Sequence, residues 1–323
     1  MMQVSGRKRH PLVMKFQQPG FYKNIVVNIV KYVLLVGLCF IILYPFIKKF
    51  STAFMSQADI ADPTVQYLPR NPTLFNFKTV IEQTGYFQAL FNTAVMSLGM
   101  GLLQMFFCTV VGYGFAKFKF RGSGLVFALV IFTLIIPPQT LSVPYYMLFR
   151  DFDIYGLFHV IAGQGIKMLN TPFPVVFLSI TGLGFKNGLY IFLMRQFFRG
   201  VPKELSEAAE VDGAGVFRTF WRINLPQAKA MMLTVFLFAF AWQWTDNYYS
   251  GLFYDAGAVK LLNQVVMQAG SLLVNGSTVA QGSQMAGNLI NTASILVIVP
   301  LLLIYLIAQK RFVQGVESSG IVG

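Results

Sequence analysis

Residues 204 to 226 read ELSEAAEVDGAGVFRTFWRINLP. They hold Glu204, Glu207, Glu210 and Asp212, four of the chain's twelve acidic residues, within nine positions. Such a charge run is usually a solvated face, and grouped carboxylates can also grip a basic partner. A second group lies in AWQWTDNYY, with Trp242, Trp244, Asn247 and Tyr248. Aromatic faces beside an amide suit stacking on a sugar ring and bonding to its hydroxyls, and they equally suit an aromatic belt at a membrane surface. Asp151 and Asp153, in RDFD, resemble an acidic metal motif only superficially and read as a solvated loop. Beyond these the chemistry thins out. There is no Gly-Lys dipeptide and hence no P-loop, and no HExxH, CxxC or GxSxG. His10 and His159 share no motif, and Cys39 and Cys108 lie far apart in apolar runs. The sequence thus implies no catalytic residue, no metal and no cofactor held by this chain.

The elements that must position these groups belong to a membrane protein. Of 323 residues, 55% are hydrophobic and 11% charged, against about 25% charged in soluble domains. The net charge is +13, but its Lys and Arg are spread between apolar runs, which fits a positive-inside membrane protein and not a nucleic-acid binder. A span needs about 20 apolar residues. Six windows qualify, at about 29–47, 93–116, 124–148, 173–197, 228–247 and 288–308. All must be helical, because lipid offers the backbone no partner. Pro137 and Pro138 should break the third. Lys186 and Asn187 sit near the middle of the fourth, which reads as a short outer helix followed by a span starting near Gly188. The scarcity of charge in the other windows argues against an ion-coupled carrier, which keeps ionisable residues at the midplane.

Six spans place both ends on one side. Seventeen of the 25 basic residues fall on that side, in the N-terminal segment 1–28 and its extension up to Lys31, the second-to-third loop, the fourth-to-fifth loop region and the C-terminal end. That side is therefore the cytoplasm. The N-terminal segment is too long for a signal peptide, so the first span is read as uncleaved. The acidic stretch faces the cytoplasm, and 51–90 and 251–286 form outer loops. A glycosylation-type triplet at Asn275-Gly276-Ser277 carries no weight.

The stretch 202–226 has a local logic. Pro202 suits a helix start, and Lys203 to Val211 reads as a short helix with acidic residues toward its positive end. Leu205, Ala208 and Ala209 share one face, and Glu204, Glu207 and Val211 another. Asp212-Gly213 ends the helix, with Gly213 free to take positive φ, and Gly215 allows a further bend. Val216 to Arg222 is basic and aromatic, suited to the headgroup level, and Leu225-Pro226 starts the fifth span.

Glu207-Ala208-Ala209, Gly213 and Ile223-x-Leu225-Pro226 at these spacings resemble the EAA signature of permease subunits of binding-protein-dependent ABC importers. RQFFRGVPKELSEAAEVDGAG, FAWQWTDNYY, GYGFAKFKFRGSG and LIIPPQTLSVPYYMLF are similar to the carbohydrate-importer branch, the maltose-system permease type. The resemblance covers about 90–323. Val322 departs from the Lys of many relatives, and 158–187 looks like an outer insertion. What the resemblance implies is an all-α integral membrane permease of the type I importer fold. It implies a transmembrane domain over 29–312 and a cytoplasmic tail over 313–323. The loop would be a coupling helix, with Glu204, Glu207, Ala208, Ala209, Asp212, Gly213, Ile223, Leu225 and Pro226 engaging an ATPase subunit. Implied partners are a second, different permease, two ATP-binding subunits carrying ATP and Mg, an extracytoplasmic sugar-binding protein and the lipid of a bacterial or archaeal cytoplasmic membrane. The other class kept open is a stand-alone channel or secondary carrier, which would purify alone and transport without ATP.

Overall fold

A computed structural model describes the backbone of residues 21–255, 258–272 and 279–320. Most of the N-terminal segment 1–28, the Asn275-Gly276-Ser277 triplet and the last three residues of the tail lie outside these. The described residues are helical, apart from loops and one isolated bridge between Phe152 and Ile166.

Two units separate, one to Thr73 and one from Leu74. The first contains α1 (Phe21–Ala53) and α2 (Gln57–Ala61). Val26–Ala53 is long and apolar enough to cross a membrane, and its side chains are almost all uncovered. The loop after α2 is held by carboxylates. Buried Asp59 accepts from the Asn71 backbone N–H at 2.9 Å, and Asp62 pairs with Arg70 at 3.0 Å.

The second unit runs α3 (Phe75–Thr84), α4 (Tyr86–Lys117), α5 (Ser123–Phe132), a 3-10 turn at Pro138–Leu141, α6 (Ser142–Arg150), α7 (Leu157–Ala162), α8 (Phe173–Thr181) and α9 (Asn187–Gly200). It continues with α10 (Glu204–Val211), α11 (Val216–Thr219), a π turn at Phe220–Asn224, α12 (Leu225–Gln227), α13 (Lys229–Trp244), α14 (Tyr248–Phe253), α15 (Leu262–Ala269) and α16 (Val279–Gly320). Helix α4 is the hub, packed along α9 and α13, and α13 packs in turn on α16. A core of Tyr113, Tyr190, Met194, Phe198, Phe220, Met231 and Val235 joins them. The helices approach closely where glycine allows it. A Cβ on Gly112 would lie 2.6 Å from the Met194 Cβ, so only glycine lets α4 seat on α9.

The expected windows are refined by breaks. The third is interrupted, with α5 ending at Phe132 and helix resuming through the turn that starts at Pro138, because adjacent prolines remove donors and bar helical geometry before them. The fourth splits at Gly182–Lys186, as the polar pair in its middle suggests. The stretches read as outer loops contain helix. Residues 51–90 contain α2, α3 and the first turn of α4, and 251–286 contain α15, whose Leu262, Val265 and Ala269 are buried against α4 and α16.

Candidate functional site

The acidic stretch is a projecting helix on a rooted elbow. Helix α10 leaves Glu204, Leu205, Glu207, Ala208, Glu210 and Val211 exposed and buries Ala209. The expected face of Leu205, Ala208 and Ala209 is therefore divided. Ala209 packs toward the protein's own interior, while Leu205 and Ala208 stand outward with the carboxylates. The end of α10 is closed by two backbone bonds, Ala214 N–H to Ala209 C=O at 2.8 Å and Gly213 N–H to Glu210 C=O at 3.0 Å. This is a complete Schellman ending, with Gly213 left-handed at φ 76. Gly215, at φ −69 and ψ 167, is ordinary extended backbone and starts α11 without needing glycine's freedom.

The elbow is fixed from both sides. The Lys117 ammonium, at the end of α4, donates to the Val201 carbonyl at 3.2 Å. Phe220 inserts into the core with its ring 4.7 Å from that of Tyr113, and Trp221 stacks on Phe106 at 6.2 Å. Asn224 is wholly buried and donates through Nδ2 to the Thr219 carbonyl at 3.3 Å. Leu225 packs on the core and Pro226 is exposed, while Ile223 is half-buried. The helix path bends just after Leu225-Pro226, where the fifth span is expected to start. The segment Val216–Gln227 meets Lys229–Trp244 at 74°, with Ala228 buried at the joint. Pro226 has no N–H to give the preceding turn, and the wide π turn falls directly before it. Beyond the elbow, α13 packs on α4 and α16.

The aromatic group does not act as one set. Trp244 is buried and its indole N–H donates to the Val297 carbonyl at 3.0 Å, which makes it a strut between α13 and α16. The Tyr248 hydroxyl bonds to the Pro138 carbonyl at 2.5 Å and to Ser142 Oγ at 3.0 Å, pinning the broken third window. Asn247 is exposed at the start of α14. Only Trp242 joins a further group, edge-on to Phe185 at 5.3 Å and under the Lys186 ammonium at 5.1 Å.

Lys186 was visible in the sequence only as a misplaced charge. It borders a cavity of about 290 Å³ between the two helix breaks, lined also by Thr133, Pro138, Tyr145, Phe185, Asn187 and Tyr249. The outer pair Asp151 and Asp153 meets His159. Asp153 bonds to His159 Nδ1 at 2.5 Å and to the Phe158 N–H at 2.8 Å, while Asp151 lies 3.6 Å from Nε2. The Asp153 hydrogen bond raises the His159 ring above its ordinary pKa, against desolvation. Desolvation acts to raise Asp153 too, but the bonds from His159 and the backbone hold it below the usual carboxylate range. Among the described residues no group of three or more such side chains could hold a metal ion.

Long apolar helices and an exposed charged elbow describe a membrane protein with an acidic projection. Residues 108–318 match the family of binding-protein-dependent transport system inner membrane components, and the chain belongs to that family. Among similar proteins is the melibiose/raffinose/stachyose import permease protein MelC of Bacillus subtilis (strain 168), 27% identical over 86% of this chain and 91% of its own length. The maltodextrin transport system permease protein MdxG of the same organism is 29% identical over 92% of this chain and 96% of its own length. A solved bacterial ABC transporter involved in import of the acidic polysaccharide alginate has a chain of the same fold. It covers 90% of this chain and 98% of that one, with TM-score 0.70 and 23% identity.

Proposed function

We propose that this chain is one of two permease subunits of an ATP-driven importer for an oligosaccharide, in the cytoplasmic membrane of a bacterium or archaeon. It forms half of the translocation pathway. ATP and Mg are bound by two partner ATPase subunits, and an extracytoplasmic binding protein delivers the sugar. The sugar class rests on relatives named for melibiose, raffinose and maltodextrin transport. The single observation that carries the coupling role is the build of α10. Its carboxylates and Ala208 are exposed while Ala209, Phe220 and Asn224 root the elbow in the helix core. Such a projection grips a soluble partner and transmits its movement without the partner entering the membrane. Glu207 pairs there with a basic group, and Ala208 lets the partner's backbone come close.

The test is Glu207→Lys in the assembled importer. A carboxylate buried against a basic partner and reversed in sign costs about 3–5 kcal/mol, enough to abolish productive docking. ATP-driven uptake should stop while membrane insertion and protein level stay normal. Uptake at the wild-type rate with a normal protein level would remove the coupling assignment.

A further inference from the structure

The cavity between the two helix breaks has a chemical character of its own. Lys186 is held at φ 65, in the left-handed region that a residue with a side chain rarely adopts. Its ammonium lies 5.2 Å from the Phe185 ring and 5.1 Å from the Trp242 ring. These faces steady the cation without neutralising it. Among the described residues no carboxylate lies within ion-pair distance of it. The charge also stands in the middle of the fourth apolar window, where an uncompensated cation is costly and marks a ligand path. The rest of the lining agrees. Asn187 is fully buried and its Oδ1 has no partner among the described residues. The N-terminus of the 14-residue α9 opens at Asn187 and Gly188 on the cavity wall, with its positive dipole end. Tyr145 and Tyr249 add aromatic faces with hydroxyls. A volume of about 290 Å³ is at the low end of small-ligand sites, about 300–1,000 Å³, so it holds one ring of a longer chain.

We infer that this cavity receives the carboxylate of an acidic sugar residue, so that the oligosaccharide carried contains uronate units. The inference rests on the importer reading and names its substrate class. The carboxylate completes the ion pair that Lys186 lacks, and the tyrosines flank the sugar ring.

The test is a titration of the assembled importer in nanodiscs of zwitterionic lipid, read by tryptophan fluorescence, with trigalacturonate, maltotriose and inorganic phosphate as probes. Trigalacturonate should change the emission saturably, more weakly as salt rises, and Trp242→Phe should remove the signal. Lys186→Asn removes the charge while asparagine tolerates the left-handed backbone, and it should weaken trigalacturonate at least about tenfold by the lost ion pair. Lys186→Arg should keep most of the affinity. An equal response to maltotriose or to phosphate in the wild type would overturn the inference without recourse to any variant, as would unchanged affinity in Lys186→Asn. The Glu207→Lys experiment does not depend on the charge of the sugar, so failure of the importer reading would be seen separately.

Discussion

At the residue scale, closeness of approach decides more than polarity does. Gly112 and Gly114 stand two positions apart on α4, and the sequence gives no reason to rank them. The structure does. A Cβ at Gly112 meets the Met194 Cβ at 2.6 Å and the Arg195 backbone N at 2.9 Å, whereas a Cβ at Gly114 meets nothing within 4 Å. Gly112→Ala should therefore force α4 and α9 apart, and overpacking of this kind costs about 1–3 kcal/mol. Gly114→Ala should be neutral or slightly stabilising, since alanine favours helix. Thermal melting of the detergent-solubilised protein checks both. Equal melting temperatures for the two variants would disprove the close seating of α4 on α9. The same contrast shows what the sequence could reveal of the candidate site. Glu207, Gly213 and the break after Val211 are legible because capping is local chemistry. That Ala209 is buried while Ala208 is exposed, or that Trp244 is a strut and Trp242 lies under a cation, depends on contacts with distant segments.

At the element scale, the interruptions decide how the helices are joined. Helices announced by apolar windows exist, and the double proline and the Lys186-Asn187 pair mark where two of them break. Helix α15 was also written in the chain, as Leu262, Val265 and Ala269 on one face, but a Gly- and Ser-rich neighbourhood masked the period. The π turn was not legible, because a wide turn is distinguished from an α turn by one hydrogen bond and not by composition. Its cause can be tested. Pro226→Ala restores a donor that can bond to the carbonyl four residues back, and removes the ring clash. The π turn should then relax toward α-helix and the 74° elbow between Val216–Gln227 and α13 should open. ATP hydrolysis by the assembled importer should persist while uptake per ATP falls severalfold. Unaltered uptake per ATP would show that the elbow angle is not what transmits the stroke.

At the scale of the whole molecule, the six crossings expected from the sequence would have to be assembled from helices that mostly do not cross alone. Among the described residues three helices are individually long and apolar enough, with one bent pair besides. Helices α8 and α9 have 9 and 14 residues, about 14 and 21 Å at about 1.5 Å per residue, against a hydrocarbon core of about 30 Å. Neither is long enough to span alone, and the six-span reading requires the two to be joined end to end across Gly182–Lys186. The break borders a cavity of the protein, the kind of place where non-helical backbone is tolerated at membrane depth. This makes a sharp topological demand. Tyr155, in the loop before α7, and Val211, at the end of α10, are both fully or nearly fully exposed, at 106% and 87%, and the six-span reading makes the α8–α9 pair the crossing between them. In a background lacking Cys39 and Cys108, and without the ATPase subunits to cover α10, Tyr155→Cys should react with a membrane-impermeant maleimide in intact right-side-out vesicles. Val211→Cys should react only after permeabilisation, and the order should reverse in inverted vesicles. Labelling of both from the same side would mean that α8 and α9 form a re-entrant hairpin, which would move α10 away from the cytoplasm and remove the coupling role with it.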